Sequence, residues 1–438
     1  MRKVLQRVSI KIVNSAWMAK LADAADLKSA DPYRSWGFKS PSGHQLSYRR
    51  IGDSHQDENQ LFFQRRSIFE LQGCVAVNFP PIPDLPRFRI LYVGPLVPHE
   101  NVLHRYFALQ RLGQTVIPLD ERFFKAEGRS LTGKIRFRTQ WGPAIREYNE
   151  MVFNEAVANR VDLVWADKPT FLRPDTLRRL RQHGVATVDW TLDNAFGPRN
   201  DPGWRTYKAC IGEYDLHVLQ RDVTLRAYLD AGARQVIKMQ TVFDRLHQYP
   251  PPPGWSDKDR DREVSFVGSP YDDRPQFLAR LATEYKLPVV ISGMSRWAKL
   301  LPPEAAHLYT GSELLAEEYR KAIWRSKINL SFVTHTNQDE YTHKTFEIAG
   351  CAGFQIAERS PGHLERFVED EEIVMFSTLE ECAAKIARYL PDEAARQRIA
   401  WAGRRRAVES GYDNDTQLAR IIAALDPIKA RVRTSISR

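Results

Sequence analysis

The residues best suited to chemistry lie in one stretch, DEYTHKTFEIAGCAGFQIAE, from Asp339 to Glu358. Two acids, Asp339 and Glu340, are followed by the basic pair His343 and Lys344, then by Glu347 inside an apolar-periodic run. The run breaks between Gly350 and Gly353 and resumes as a short apolar strand, residues 354–357. The pattern predicts a loop, helix, turn and strand with ionisable groups gathered at the helix mouth. A helix N-terminus carries unpaired N–H groups and roughly half a positive charge, so it suits a phosphate, and Lys344 adds a full charge beside it. A carboxylate such as Glu347 accepts two hydrogen bonds at once, which fits the paired hydroxyls of a ribose. A surface helix whose charges are merely solvated fits the same residues equally well.

A longer comparison separates the two readings. The run HKTFEIAGCAGFQIAERSPGHLERFVEDEEIVMF, followed by EECAAKIARYL and ARQRIAWAGRRRAVESGY, resembles the C-terminal donor domain of a GT-B glycosyltransferase. More narrowly it is similar to the CgeB/YkvP-like group, the spore-maturation-type glycosyltransferases with a "glycosyl transferases group 1" domain. In related retaining enzymes two acids separated by seven residues flank the nucleotide-sugar. Asp339 and Glu347 have that spacing, with Asp where Glu is usual, and Glu340 is the alternative for the first position.

The elements that must position these groups follow from length and pattern. A chain of 438 residues can hold two large domains, and 43% apolar with 27% charged residues is the composition of a folded globular protein. No apolar run reaches the roughly 18 residues of a membrane span, and no secretory apolar region follows the MRK start, so a cytoplasmic location is expected. Cys74, Cys210, Cys351 and Cys382 are far apart, which supports neither a disulfide framework nor a zinc site. The net charge of +10 invites a nucleic-acid or anionic-membrane partner, but the basic residues are scattered along helical segments without a nucleic-acid motif. Attraction for phosphorylated substrates, or peripheral association with anionic lipids, is favoured over specific nucleic-acid binding.

Residues 1–86 do not read as the start of an enzyme domain. Residues 14–45, NSAWMAKLADAADLKSADPYRSWGFKSPSGHQ, resemble the translation of a leucine tRNA gene, and a start codon placed too far upstream would produce such a segment. A short amphipathic helix, residues 16–27, on a disordered extension is the alternative. The proline-rich NFPPIPDLP then leads into a strand (88–93), a helix (101–112) and a strand (115–119), a βαβ order that predicts a parallel sheet. The turn GPLVP is no dinucleotide fingerprint. Strands at 162–166, 186–190 and 216–219 alternate with helices at 174–183 and 223–231, the pattern of a doubly wound Rossmann-like domain over residues 87–248.

Ligands of such sheets bind beyond the carboxyl ends of the strands. That places Asp193, in Thr191-Leu192-Asp193-Asn194, at a cleft; a turn or helix-cap carboxylate is the equal alternative for it. CgeB-like chains carry an acidic pair here, and the second member is Asn194 in this chain. A proline-rich linker, residues 249–258, precedes a second α/β domain, residues 259–438. Gly268 and Gly293 each follow a strand of that domain, where the missing side chain lets backbone approach a ligand or simply makes a tight turn. Helices at 379–390, 392–409 and 416–425 close the chain; in GT-B proteins the last one returns to the first domain.

The resemblance implies a metal-independent glycosyltransferase with no cofactor, taking a UDP- or GDP-sugar, with the acceptor open among carbohydrate, lipid and protein. Lys344 and the helix it opens would hold the diphosphate, Glu347 the ribose, and Asp339 or Glu340 the donor sugar, with His343 among the nucleotide-sugar-binding residues. For an inverting reaction Asp193 would be the base. A nucleotide-sugar epimerase on the same fold, or a non-catalytic coat-associated binding module, are the competing readings.

Overall fold

The computed structural model describes residues 78–434, apart from 98–99, 124–134, 136–137 and 199–202. The expectations for residues 1–77 lie outside the described residues, and the chain from Val77 onward packs as one unit.

The strand Arg89–Gly94 (β1) reads RILYVG and is buried at every position after the first, because both faces of its sheet are covered. It lies between Thr115–Asp120 (β2) and Leu163–Asp167 (β3), followed across the sheet by Ala186–Trp190 (β4), Leu216–Leu219 (β5) and Val236–Lys238 (β6), all parallel, in the order β2-β1-β3-β4-β5-β6. The crossovers include helices Asn101–Arg111 (α1), Pro143–Ala158 (α2), Pro174–Gln182 (α3), Trp204–Ala209 (α4) and Asp222–Asp230 (α5). Helix α2 was not expected from the sequence, since its apolar residues are broken by charges. It buries only one narrow stripe, Ile145, Tyr148, Val152 and Ala156.

A second parallel sheet has the order β11-β10-β9-β7-β8, with Arg262–Val267 (β7), Val289–Ser292 (β8), Ser326–Ser331 (β9), Gln355–Glu358 (β10) and Val374–Phe376 (β11). Its helices are Arg274–Thr283 (α6), Ala316–Trp324 (α7), His343–Gly350 (α8), Leu379–Tyr389 (α9) and Glu393–Glu409 (α10). In both sheets the order reverses beside the first strand, between β1 and β3 and between β7 and β9. At such points the crossovers leave on opposite faces and open a crevice at the carboxyl ends.

The last helix, Asn414–Thr434 (α11), leaves the second sheet and joins the core of the first, where Leu418, Ile421, Ile422, Leu425, Ile428 and Val432 pack with Tyr106, Leu109, Val188 and Trp190. The sequence reading stopped it before Pro427, yet the helix continues. Burial of Ile428 and Val432 beyond the proline offsets the backbone bond it removes.

Two stretches of chain therefore pass between the halves, and they pair with each other. Phe243 N–H donates to the Tyr412 carbonyl at 3.1 Å and Asn414 N–H to the Phe243 carbonyl at 3.0 Å. Arg111 binds both Asp244 (2.8 Å) and Asp415 (2.5 Å), and Arg245 binds Asp413 (2.6 Å). Phe79 lies under the Arg245 guanidinium at 3.8 Å, so the proline-rich entry packs on this crossing.

Candidate active site

At the crevice of the second sheet, β7 is followed by Gly268, whose N–H still donates to the Ser292 carbonyl at 2.9 Å. A Cβ on Gly268 would lie 2.7 Å from the Lys344 Cε, so the lysine stem crosses directly over this turn. Gly293 has a different reason to be glycine. A Cβ there would lie 2.1 Å from the Gly268 carbonyl oxygen, which itself accepts from the Trp297 indole at 2.7 Å. The two glycines form one feature: Gly293 lets the chain pass beneath the carbonyl of Gly268, and Gly268 makes room for Lys344.

Helix α8 begins at His343 because Thr342 is extended (φ −124°, ψ 152°) and the apolar Phe346, Ile348 and Ala349 point inward. No side chain caps its first turn, so the N–H groups beside Lys344 keep the partial positive charge of a helix start. The Lys344 ammonium lies 5.0 Å from the centre of the Tyr319 ring. Tyr319 in turn donates its hydroxyl to Glu347 at 2.8 Å. Glu347 is 8% exposed and, among the described residues, receives no other hydrogen bond, leaving its second oxygen to accept from a ligand.

A fourth group was missed by sequence reasoning. Arg274, the first residue of α6, is 6% exposed and folds back beneath the carboxyl end of β9. It donates to the carbonyls of Ser269 (3.2 Å) and Val333 (2.9 Å) and to the Thr334 hydroxyl (3.0 Å), while its Nε is buried without a partner. Neither Arg274 nor Lys344 forms an ion pair among the described residues. Burial pushes the Lys344 ammonium below the usual lysine range; Glu347 pulls it back up and Arg274 pushes it further down. Burial likewise lowers Arg274, against the pull of Asp272, Glu358 and Asp339. Arg274 is buried and Lys344 half-buried, and two such cations that repel each other are costly until an anion joins them. The only sequence signal for Arg274 was its position at a helix start, seven residues after β7.

The acids nearest the first half are engaged across the seam. Asp339 forms an ion pair with Arg221 and accepts from Asn337 at 3.0 Å, with side chains 12% and 3% exposed for Asp339 and Arg221. Arg221 also donates to the Leu192 carbonyl. Glu340 accepts from the Asp222 N–H at 2.7 Å and from Lys238 at 3.1 Å, while the Tyr341 hydroxyl donates to the Gln220 carbonyl at 3.0 Å and the Gln220 side-chain amide donates to the Tyr341 carbonyl at 3.2 Å. His343 is set deeper; its ring contacts the Val242 carbonyl at 3.4 Å through Nδ1, and burial holds its pKa below the ordinary value. A neutral ring donating there leaves Nε2 as an acceptor.

Asp193 lies on the opposite wall, at the carboxyl end of β4, in an ion pair with Lys168. Lys168 holds a left-handed backbone (φ 51°) at the end of β3. Asn194 reaches across the seam, taking Asn337 Oδ1 with its N–H (3.1 Å) and Gln338 Oε1 with its amide (2.7 Å). The structure thus brings Gly268, Gly293, Lys344 and Glu347 together around Arg274. Asp339 and Glu340 join the two halves, and Asp193 stands on the first half alone.

Residues 274–423 match the family model described as glycosyl transferase-like. The fold resembles that of Anabaena HepE, solved in complex with UDP, at 14% identity and a TM-score of 0.53, covering 77% of this chain and 100% of that one. Sucrose-phosphate synthase from Thermosynechococcus elongatus is similar at 13% identity and TM-score 0.55 over 79% and 99% of the two chains. An E. coli trehalose-6-phosphate structure bound with UDP-2-fluoro glucose is similar at 14% identity and TM-score 0.54 over 78% and 99%. The sequence has no significant match among curated proteins. With its two parallel sheets and these neighbours, the chain has the GT-B fold, and the glycosyl transferase-like match lies in its second half.

Proposed function

We propose that this GT-B protein transfers a sugar from a nucleotide-sugar to an acceptor, and that it belongs to the CgeB/YkvP-like group whose motif HKTFEIAGCAGF resembles. The observation that carries the reading is the pair Arg274, buried, and Lys344, half-buried, cations that form no ion pair among the described residues at the switch point of the donor-side sheet. A diphosphate there neutralises both and also meets the uncapped start of α8. The UDP in HepE and the UDP-sugar in the E. coli structure support a uridine nucleotide over a guanosine one.

The mechanism follows from charge. As the glycosyl bond breaks, negative charge grows on the departing diphosphate, and fixed donors in a dry site stabilise it without reorganising. Arg274, Lys344 and the α8 dipole supply that field without a metal ion, and the bare backbone at Gly268 admits the phosphates close to it. Glu347, oriented by Tyr319, accepts from the ribose hydroxyls. Asp339 and Glu340, at the seam, face the donor sugar once Arg221 and Lys238 share them with it. Asp193 stands on the acceptor side, as a binding group or, for inversion, as the base.

The test is calorimetric titration with UDP and UDP-sugars, followed by turnover with candidate acceptors. Binding of UDP, with donor consumed only slowly until an acceptor is added, is the expected result. Donor epimerised without an acceptor, or no nucleotide binding at all, would overturn it.

A further inference from the structure

Trp141 is 63% exposed, the largest exposure among the big apolar side chains of the described residues, and Ile135 nearby is 54% exposed. This is no loose end of chain. Gln140, the residue before Trp141, is buried and pinned from both sides: its amide donates to the Gly203 carbonyl at 2.6 Å and accepts from the Thr206 N–H at 2.8 Å. Arg205 of α4 donates to the Thr139 carbonyl at 2.7 Å, and the Thr139 hydroxyl to the Ile135 carbonyl at 2.8 Å. An indole held out into water by an anchored turn loses free energy until something covers it.

The charges around it say what covers it. Arg138, Arg146, Arg205 and Lys208 are all exposed, and among the described residues none of them pairs with a carboxylate. On the neighbouring helix α3 the arginines are matched: Arg178 with Glu213, Arg179 with Glu150, Arg181 with Asp215. The Lys208 ammonium sits 4.9 Å from the ring of Phe196, another exposed aromatic, so α4 carries the patch on toward the loop of Asn194. Unpaired Arg and Lys heads around a projecting Trp and Ile match an interface of anionic headgroups over acyl chains.

We propose that Ile135, Arg138, Trp141, Arg205, Lys208 and Phe196 dock the protein onto the surface of an anionic lipid bilayer. No described helix is long and apolar enough to cross one, so the attachment is peripheral. Phe196 N–H donates to Asn194 Oδ1 at 3.0 Å, and Asn194 bridges to the second half, so the docked face adjoins the acceptor side of the seam.

The test is sedimentation of the full chain with phosphatidylcholine vesicles, with and without phosphatidylglycerol. Binding only to the anionic vesicles, reversed by salt, is expected. Trp141→Ser, and separately Arg138→Gln with Arg205→Gln, should each weaken it about tenfold. UDP binding, measured on the same samples, should not change, which separates this inference from the donor-site reading. Sedimentation of both variants like the parent, binding to neutral vesicles alone, or binding to RNA without any binding to vesicles would each overturn it. Arg138→Gln alone, at an exposed side chain, still decides the matter if Trp141→Ser folds poorly or if losing the Arg205 bond to Thr139 disturbs the turn.

Discussion

Lys344 crosses the turn at Gly268 so closely that a single added carbon on the glycine would lie 2.7 Å from the lysine Cε. The obstacle is the end of a flexible side chain, so Gly268→Ala should displace the ammonium and leave the fold intact. UDP should bind about tenfold more weakly, a loss of about 1.4 kcal/mol. Gly293→Ala differs in kind, since its Cβ would meet the Gly268 carbonyl at 2.1 Å. Backbone must move, and denaturant titration should show a loss on the order of 2 kcal/mol. Equal effects of the two substitutions on UDP binding and stability would contradict this division.

Lys344 makes no hydrogen bond among the described residues and its charge is disfavoured by burial. Lys344→Met should therefore leave the free protein as stable as the parent, or more so, while UDP affinity falls about a hundredfold. The pKa is lowered, so the unfolded chain holds this proton more tightly. The group's contribution to stability accordingly rises as pH climbs through the depressed pKa toward 10.5. UDP affinity moves the opposite way, because the bound anion needs the proton. A parent affinity that stays level on raising the pH through this range would count against Lys344 at the diphosphate.

Glu347 is read as the ribose acceptor, which a double comparison can isolate. The parent should bind UDP more tightly than 2′-deoxy-UDP by about 1 kcal/mol or more, and Glu347→Ala should bind both alike. Tyr319→Phe, which removes the only hydroxyl orienting the carboxylate among the described residues, should fall between. A preference for the ribose form that survives in Glu347→Ala would remove that residue from the sugar.

Arg221 and Asp339 form a nearly buried pair across the seam. Arg221→Ala strands the carboxylate and should cost about 3 kcal/mol, whereas Arg221→Met with Asp339→Leu should recover most of the loss. Urea titration of the three proteins measures this. A double variant no better than the single one would show that Asp339 is held by other partners.

His363 is fully buried, with Nδ1 against the Glu358 carbonyl (2.8 Å) and Nε2 against the Thr345 hydroxyl (2.9 Å), and burial pushes its pKa down to about 4. Nδ1–H donates and Nε2 accepts, so the neutral ring ties α8 to the end of β10. The unfolded ring titrates near 6.5, so stability should fall as pH drops below that value. From this group alone the loss by pH 5 is about 2 kcal/mol. His363→Asn should flatten the pH dependence between pH 7 and 5, and an unchanged slope would exclude the histidine as its source.

Much of this architecture is legible in local pattern. Apolar runs such as FRILYV and DLVWA, punctuated by glycine and proline, mark the parallel strands because a strand buried on both faces must be apolar throughout. The spacing of Lys344 and Glu347 places both at the start of one helix without any knowledge of the rest of the chain. What the sequence by itself could not say is which groups meet. Arg274 is 70 residues from Lys344, and nothing local tells a helix-start arginine from a cation folded beneath a strand end. Nor could it say that Asp339 and Glu340 are held by Arg221 and Lys238, or that the turn at Trp141 is pinned from α4. Those are decided by the order of strands in two sheets and by the return of α11 to the first, since a neighbour supplied by another part of the chain leaves no periodic trace in the residues it joins.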